Sequence, residues 1–294
     1  MFQGKHYSVM LKEAINWLDI QKNEWYLDCN LGGGGHTEEI LNRGGKVVAL
    51  DVDKDAIDYA VQRLQEHVES GSLKILKMNF RDIDKIAENL NEDIKFSGIL
   101  YDLGLSTFQL KEANKGFSFM DKASLDMRMD QELGVKAEDL LKVLSEKELE
   151  KVILKYGEDP QARIFAKAIK SHIKIHPNAK ILAADLAEII RKASRYPVSK
   201  IHPATRVFQA LRIAVNDEIG ALEESLNKTA NLLIPGGRLV IISFHSLEDK
   251  AAKDLLQNED FRTLLNEPVI PSEDEVSINS ASRSAKMRVY EKTF

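Results

Sequence analysis

Asp28-Cys29-Asn30-Leu31-Gly32-Gly33-Gly34-Gly35-His36-Thr37 is the stretch that decides the fold, because its glycines separate an apolar segment from a segment of helical character. The apolar residues 25–27 predict a strand, and the helix is expected to begin near His36. Glycine lacks a β-carbon, so the turn can approach a ligand closely, and the N-terminus of a helix attracts anions. Strand, glycine turn and helix in this order are typical of a nucleotide-type cofactor site.

The acidic residues around this turn indicate which cofactor binds. A second apolar run, 46–50, ends in Asp51, which puts a carboxylate at a strand tip where a cofactor ribose would lie. A dinucleotide fingerprint needs a third glycine where this chain has Thr37. Asp28 would repel a pyrophosphate but could pair with the ammonium of a methionine moiety. S-adenosylmethionine is therefore favoured; a dinucleotide-dependent dehydrogenase and an ordinary glycine turn are the alternatives.

The composition is that of a soluble globular protein. The chain has 294 residues, 44% hydrophobic and 30% charged, and a net charge of −5, so any nucleic-acid surface must be a local patch. No apolar stretch approaches the roughly 18 residues of a membrane span. The single cysteine, Cys29, fits a reducing compartment. We expect a cytoplasmic protein that does not associate with membranes.

Strands and helices alternate along the first hundred residues and again near the C-terminus. Apolar runs predict strands at 73–78, 97–103, 238–243 and 287–291. This alternation indicates an α/β fold with a doubly wound, Rossmann-like sheet of the class I methyltransferase kind, which binds ligands at the carboxyl ends of its strands. One helix is expected from 205 to about 233, and a polar loop from 259 to 279.

The alternation stops between 104 and 204, where we find helical patterns alone. A structureless loop of that length would be unusual inside a compact domain. We therefore expect an S-adenosylmethionine-binding methyltransferase domain, 1–103 and 205–294, and an inserted all-helical substrate-recognition subdomain, 104–204.

Two windows without acidic residues suggest where a nucleic acid could bind. From 191 to 212, and again from 278 to 290, the chain carries basic residues and no Asp or Glu. In an acidic protein such windows predict a phosphate-contacting surface, and together they could follow a single strand of RNA. A solvated helix face is the alternative, and Arg206 could instead be structural, because one face of its helix must pack against the sheet. The candidate RNA contacts are Arg191, Arg195, Arg206 and Arg283.

Asp102 stands at the end of the predicted strand 97–103. In a doubly wound methyltransferase this tip lies beside the transferable methyl group, so Asp102 could bind the cofactor or accept a proton from a substrate amine. A helix cap is the alternative.

Cys29 lies inside the cofactor turn and is better explained as a small packed residue than as a nucleophile, which favours methylation of an exocyclic nitrogen or a hydroxyl. His172 and His176 lack the further ligands of a metal shell, so no metal is expected.

Several longer peptides resemble the RsmH (MraW) family. They lie in the family's order at 6–13, 32–37, 102–104 with 109–110, 116–119, 125–130, 202–206 with 208–212, 243–249 and 283–286. The resemblance implies an S-adenosylmethionine-dependent enzyme that methylates N4 of a cytidine in the decoding centre of 16S ribosomal RNA. Its partner would be that RNA within the small ribosomal subunit.

The resemblance also implies site residues. Carried over by motif, the cofactor contacts would be Gly34, Gly35, His36, Asp51, Phe80, Asp102 and Gln109. The glycine backbone would approach the methionine end, Asp51 would take the ribose hydroxyls, and Phe80 would offer an apolar face to adenine. Many amino methyltransferases carry two prolines and an aromatic residue after strand four, which this chain lacks. That motif therefore does not assign the proton acceptor; Asp102 is the first candidate, and Ser106 or a backbone carbonyl is the alternative.

The chain departs from the family's pattern at Ser8, Asn30, Phe108, Lys111 and Lys115. These departures bear on fine RNA contacts more than on the reaction. From a different functional class, the alternative is a non-catalytic RNA-binding ribosome assembly factor that kept the methyltransferase fold.

Overall fold

The computed structural model describes residues 8–104, 115–119, 123–196 and 202–294. Contacts divide the chain into two compact units. Unit 1 comprises Met1–Phe108 and Ile219–Phe294, and unit 2 comprises Gln109–Glu218. None of the described helices is both long and apolar enough to cross a membrane.

Seven strands form the sheet of unit 1: β1 Trp25–Asp28, β2 Lys46–Asp51, β3 Leu73–Lys77, β4 Phe96–Asp102, β5 Leu233–Ser243, β6 Phe261–Thr263 and β7 Lys286–Lys292. Their order across the sheet is β3-β2-β1-β4-β5-β7-β6. The first five of these are parallel, whereas β7 runs antiparallel to β5 and β6. The predicted doubly wound α/β fold is confirmed. The strand order reverses between β1 and β4, which is where such a sheet binds its ligand.

Helices cover both faces of this sheet, so successive strand residues enter two different cores. Leu27 and Ile99 point into one buried cluster, while Tyr26 and Leu100 point into the other. Burial on both faces explains why the strands read as continuous apolar runs. The helices are α1 Leu11–Leu18, α2 Gly35–Asn42, α3 Lys54–Arg63, α4 Gln65–Glu69, α5 Ile86–Leu90, and, later in the chain, α11 Glu218–Thr229, α12 Ser246–Asp254 and α13 Glu273–Ile278.

Among the described residues of unit 2 the regular elements are helices, and one isolated β-bridge joins Ser124 to Leu182. Its helices are α6 Ala137–Val143, α7 Glu146–Gly157, α8 Ala162–Ile175, α9 Ala183–Ala193 and α10 Thr205–Asn216. One apolar stripe of each packs into a shared core that contains Phe165, Ile190 and Leu211. Helix α10 therefore groups with unit 2, although the sequence assigned it to the methyltransferase domain. That unit 2 recognises the substrate stays a prediction.

Two predictions for the C-terminal half were wrong. The single helix expected from 205 to about 233 is two helices, because Asp217 adopts a left-handed backbone conformation with φ 47° between α10 and α11. The segment 259–279, expected to be a loop, contains β6 and α13. Both elements are too short to show a hydrophobic period, and α13 has no buried residue.

Candidate active site

The glycine turn joins β1 to α2 and is set by backbone conformation. Gly32 and Gly34 have positive φ angles of 49° and 75°, which other residues adopt at a cost. The sequence suggests that Gly34 is needed for clearance of the cofactor. A β-carbon at Gly34 would instead point into the core, 3.2 Å from Leu64 Cδ1. A β-carbon at Gly35 would overlap Ser8 Oγ, so Ser8 packs directly on the start of α2.

Asp51, at the tip of β2, anchors this turn. Its Oδ2 accepts the backbone N–H of Gly32 at 2.8 Å, and its Oδ1 accepts that of Asp53 at 2.9 Å. Burial raises the pKa of Asp51 to about 6, although both hydrogen bonds favour the ionised form. The carboxylate of Asp51 thus holds the glycine turn in place, and its contact with the ribose stays a prediction.

Asp28, at the tip of β1, is used inside the turn. The carboxylate accepts hydrogen bonds from Thr37 Oγ1 at 2.7 Å and from the backbone N–H of Asn30 at 3.1 Å. The side chain is buried, and burial raises its pKa. Thr37, which breaks the dinucleotide fingerprint, is thus the partner of Asp28. That Asp28 pairs with a methionine ammonium stays a prediction.

Asp102 ends β4 and faces His36. Its Oδ2 lies 3.6 Å from His36 Nδ1, while His36 Nε2 lies 3.1 Å from the carbonyl oxygen of Val9. A carbonyl can only accept, so Nε2 carries a hydrogen. Asp102 Oδ1 is buried and has no hydrogen-bond partner among the described residues. Burial, followed by the nearby carboxylates of Asp28 and Glu248, raises the pKa of Asp102 to about 8.

Phe80 follows β3 and opens a 3-10 turn, Phe80–Lys85. Its ring packs edge-on against the ring of Tyr101, with 5.8 Å between the centroids. The ring is partly buried and lies at the carboxyl edge of the sheet, the position expected for an adenine contact. Gln109, the remaining candidate cofactor contact, lies outside the described residues, as do Ser106, Phe108 and Lys111.

Phe244, just after β5, is a site residue that sequence reasoning missed. A β-carbon at Gly104 would lie 2.7 Å from Phe244 Cε2, so the ring packs directly on the backbone that follows β4. The backbone N–H of Phe244 donates to Glu248 Oε2 at 2.7 Å, which fixes the start of α12. The residues directly after β4 include no aromatic residue among those described, and the ring of Phe244, after β5, lies at this strand tip. The peptide 243–249 within the family resemblance was the available signal.

Comparison with known proteins identifies the group to which the fold and these residues belong. Residues 3–293 match the model of the MraW methylase family. The chain belongs to this family. It is 41% identical over 290 residues to "Ribosomal RNA small subunit methyltransferase H" of Nostoc punctiforme, covering 98% of this chain and 94% of the relative. It is 40% identical over 309 residues to the protein of the same name from Carboxydothermus hydrogenoformans, covering 98% and 97%.

The methylase is an enzyme whose methyl donor is S-adenosylmethionine, as its family requires. The described residues fit this cofactor. Asn30 Oδ1 and Asp102 Oδ1 are buried acceptors without a hydrogen-bond partner among the described residues, and they lie at the tips of the adjacent strands β1 and β4. A cofactor with ammonium and hydroxyl donors can satisfy such acceptors. Asp51 and Phe80 lie at the tips of the next strands on the same edge.

The basic residues of the methylase differ in what they contact. Arg191 forms two hydrogen bonds with Glu188, at 2.6 and 2.7 Å. Glu188 lies just before the acid-free window, one helical turn from Arg191. Arg206 donates to the carbonyl of Glu158 at 3.3 Å. Arg195 and Arg283 are exposed, the first in unit 2 and the second in unit 1. That these four arginines contact RNA stays a prediction.

Two other cations of these windows serve the fold. Arg212 pairs with Glu218 through two hydrogen bonds, at 2.8 and 2.7 Å, and both side chains are largely buried. Arg288 pairs with Asp249 at 2.7 Å, linking β7 to α12. A window without acids in the sequence is therefore not a surface without acids in the fold.

Proposed function

We propose that this methylase transfers a methyl group from S-adenosylmethionine to N4 of a cytidine in 16S ribosomal RNA of the small ribosomal subunit. The name shared by both relatives supports the substrate. The observation that carries the chemistry is Asp102 at the tip of β4, whose Oδ1 is buried and has no hydrogen-bond partner among the described residues.

An acceptor of this kind suits an exocyclic amine. The N4 lone pair of cytosine is delocalised into the ring, so the amine needs an acceptor for its proton as it forms a new bond to carbon. Asp102 Oδ1 can accept a hydrogen bond from the amine and then its proton. A pKa of about 8 keeps this acceptor close to the pH at which the enzyme works.

The base has to leave its stack to reach this carboxyl group. Phe244 offers an aromatic face at the same strand tip, held against Gly104. Stacking of a base on an aromatic side chain contributes about 1–3 kcal/mol and tolerates any base, so Phe244 would hold the cytosine while Asp102 selects its amine.

S-adenosylmethionine supplies the activated methyl group when bound. The residues that would hold it are the glycine turn at the methionine end, Asp51 at the ribose and Phe80 at the adenine. His36 would help to orient the carboxyl group of Asp102, since its ring lies between that group and the backbone carbonyl of Val9.

The proposal is tested on small ribosomal subunits from cells that lack this gene. Wild-type protein and Asp102→Asn are incubated with these subunits and labelled S-adenosylmethionine, and the nucleosides of the RNA are separated by mass spectrometry. We expect N4-methylcytidine with the wild type, and a loss of at least 100-fold with Asp102→Asn at unchanged affinity for S-adenosylhomocysteine. Label on carbon 5 of cytosine would overturn the reaction. Binding of the subunit without any label would favour the assembly-factor alternative.

A further inference from the structure

Helix α11 holds the turn that carries Phe80. Ser225, in the middle of α11, donates its hydroxyl hydrogen to the backbone carbonyl of Phe80 at 2.9 Å. The same hydroxyl oxygen lies 2.5 Å from the hydroxyl of Tyr101 on β4. Ser225 and Tyr101 are both completely buried. Ser225 thus links β4 to the backbone of Phe80, which an alanine at this buried position could not do.

The direction of these hydrogen bonds is determined by their end point. A carbonyl oxygen accepts and never donates, so the Ser225 hydroxyl must spend its single hydrogen on Phe80. Tyr101 therefore donates to Ser225 Oγ. The hydroxyl of Tyr101 also interacts with the buried thiol of Cys29 in the glycine turn. One buried chain of hydrogen bonds therefore runs from Tyr101 on β4 through Ser225 on α11 to the backbone of Phe80.

Two further residues of α11, Lys228 and Glu224, hold the residues after Phe80. Lys228 Nζ donates to the carbonyl of Arg81 at 2.6 Å and to Asp84 Oδ1 at 2.7 Å. The guanidinium of Arg81 pairs with Glu224 at 2.9 Å. The 3-10 turn Phe80–Lys85 has a kink at Asp82 and cannot set its own position through a continuous helical ladder. The contacts with α11 therefore help to set its position.

We propose that Ser225 and Tyr101 are positioning residues of the cofactor site, which act through Phe80 on the adenine end. Tyr101 holds the Phe80 ring edge-on and, through Ser225, holds its backbone. Removing the Ser225 hydroxyl leaves the Phe80 carbonyl and the Tyr101 hydroxyl without these partners, and the turn relaxes. The inference rests on the proposed role of Phe80 as the adenine contact.

The test compares Ser225→Ala with a matched control, Thr229→Ala. Thr229 is a fully buried hydroxyl one turn further along α11, but it donates to the carbonyl of Leu226 in its own helix. We expect Ser225→Ala to raise the Kd for S-adenosylhomocysteine about 5- to 30-fold and the KM for S-adenosylmethionine by a similar factor, with kcat within twofold at saturating cofactor. Thr229→Ala should change the Kd less than twofold. Equal Kd changes in the two variants would overturn the proposal.

A double-mutant cycle with Phe80→Ala separates positioning from general destabilisation. If Ser225 acts through Phe80, adding Ser225→Ala to Phe80→Ala changes the Kd less than twofold. A full further loss would overturn the proposal. Phe80→Ala without any effect on the Kd would instead refute the adenine assignment on which it rests. Tyr101→Phe keeps the ring and removes only the hydrogen bond to Ser225, so a smaller rise in the Kd is expected; if Ser225→Ala does not fold, an unchanged Kd for Tyr101→Phe would overturn the proposal.

Discussion

Burial keeps the carboxyl group of Asp102 protonated far above the pH at which an exposed aspartate ionises, with a pKa of about 8 against 3.8. Between these values the folded protein holds a proton that the unfolded chain has released, so the free energy of unfolding falls as the pH rises, and it stays low above pH 8. The position at which Asp102 is useful as a proton acceptor is thus one that costs stability.

Asp102→Asn should therefore stabilise the fold at alkaline pH while it abolishes methyl transfer. Asparagine does not titrate, so we expect its free energy of unfolding to exceed that of the wild type by on the order of 1–4 kcal/mol more at pH 8.5 than at pH 5. Urea titrations at both pH values measure this difference. A constant offset between the two proteins would mean that Asp102 is ionised in the fold at pH 5.

The same titration shapes the activity of the wild type. A proton acceptor must be ionised, so the rate at saturating S-adenosylmethionine should rise about tenfold per pH unit from pH 6 and level off at or somewhat below pH 8. The cationic sulfonium, once bound, shifts the plateau to lower pH, because a nearby positive charge favours the carboxylate. A rate that is flat between pH 6 and 8.5 would assign the acceptor elsewhere.

Asp51→Ala should weaken cofactor binding by about 1–3 kcal/mol, or roughly 5- to 150-fold in the Kd for S-adenosylhomocysteine. The variant loses the acceptor for the ribose hydroxyls, and it also frees the backbone N–H of Gly32 that the carboxylate holds at 2.8 Å. Calorimetric titration measures the Kd. Asp53→Asn is the control, since Asp53 Oδ1 caps α3 through Asp55 and asparagine can replace it. Equal affinities for both variants would remove Asp51 from the site.

At the scale of elements, the long strands and helices were predictable because burial leaves a period in the sequence. Strand β4 extends over 96–102 where 97–103 was predicted, and β2 over 46–51 where an apolar run at 46–50 marked it. The carboxylates Asp51 and Asp102 could be found because they follow such strands directly. Ser225 and Phe244 could not, since their partners Phe80 and Gly104 lie 145 and 140 residues away and no local pattern marks the contact.

The crossing of α7 and α10 in unit 2 allows a test of this close packing. A β-carbon at Gly157 would lie 2.5 Å from the carbonyl oxygen of Arg206, which is backbone and cannot turn aside. Alanine favours a helix over glycine by about 1 kcal/mol, but steric overlap with a backbone costs about 1–3 kcal/mol, so we expect Gly157→Ala to destabilise the fold. Gly134→Ala, with no atom within 4 Å of its new β-carbon, is the control. A Gly157→Ala protein as stable as this control would contradict the crossing.

At the scale of the whole molecule, a net charge of −5 makes unspecific attraction to RNA weak, so binding must come from a few placed cations. Candidates are the arginines at 191, 195, 206 and 283. The pair of Arg191 with Glu188 is exposed and contributes little in water, so a phosphate can replace the carboxylate. Arg206 donates to the backbone carbonyl of Glu158, and a neutral carbonyl does not compensate the charge of the guanidinium.

Replacing these four arginines by glutamine should lower RNA affinity while cofactor affinity stays within twofold. On a single strand, each lost phosphate contact should flatten the slope of log affinity against log salt by about 0.7. The control is a variant with the same change in net charge at exposed cations of unit 1 that pair with acids outside both windows: Arg43, Lys54, Lys85 and Lys95. Long-range attraction depends on net charge and would weaken equally in both variants, whereas released counterions depend on contacts. A slope that changes by the same amount in both would therefore show that RNA senses the overall charge of the methylase and not these arginines.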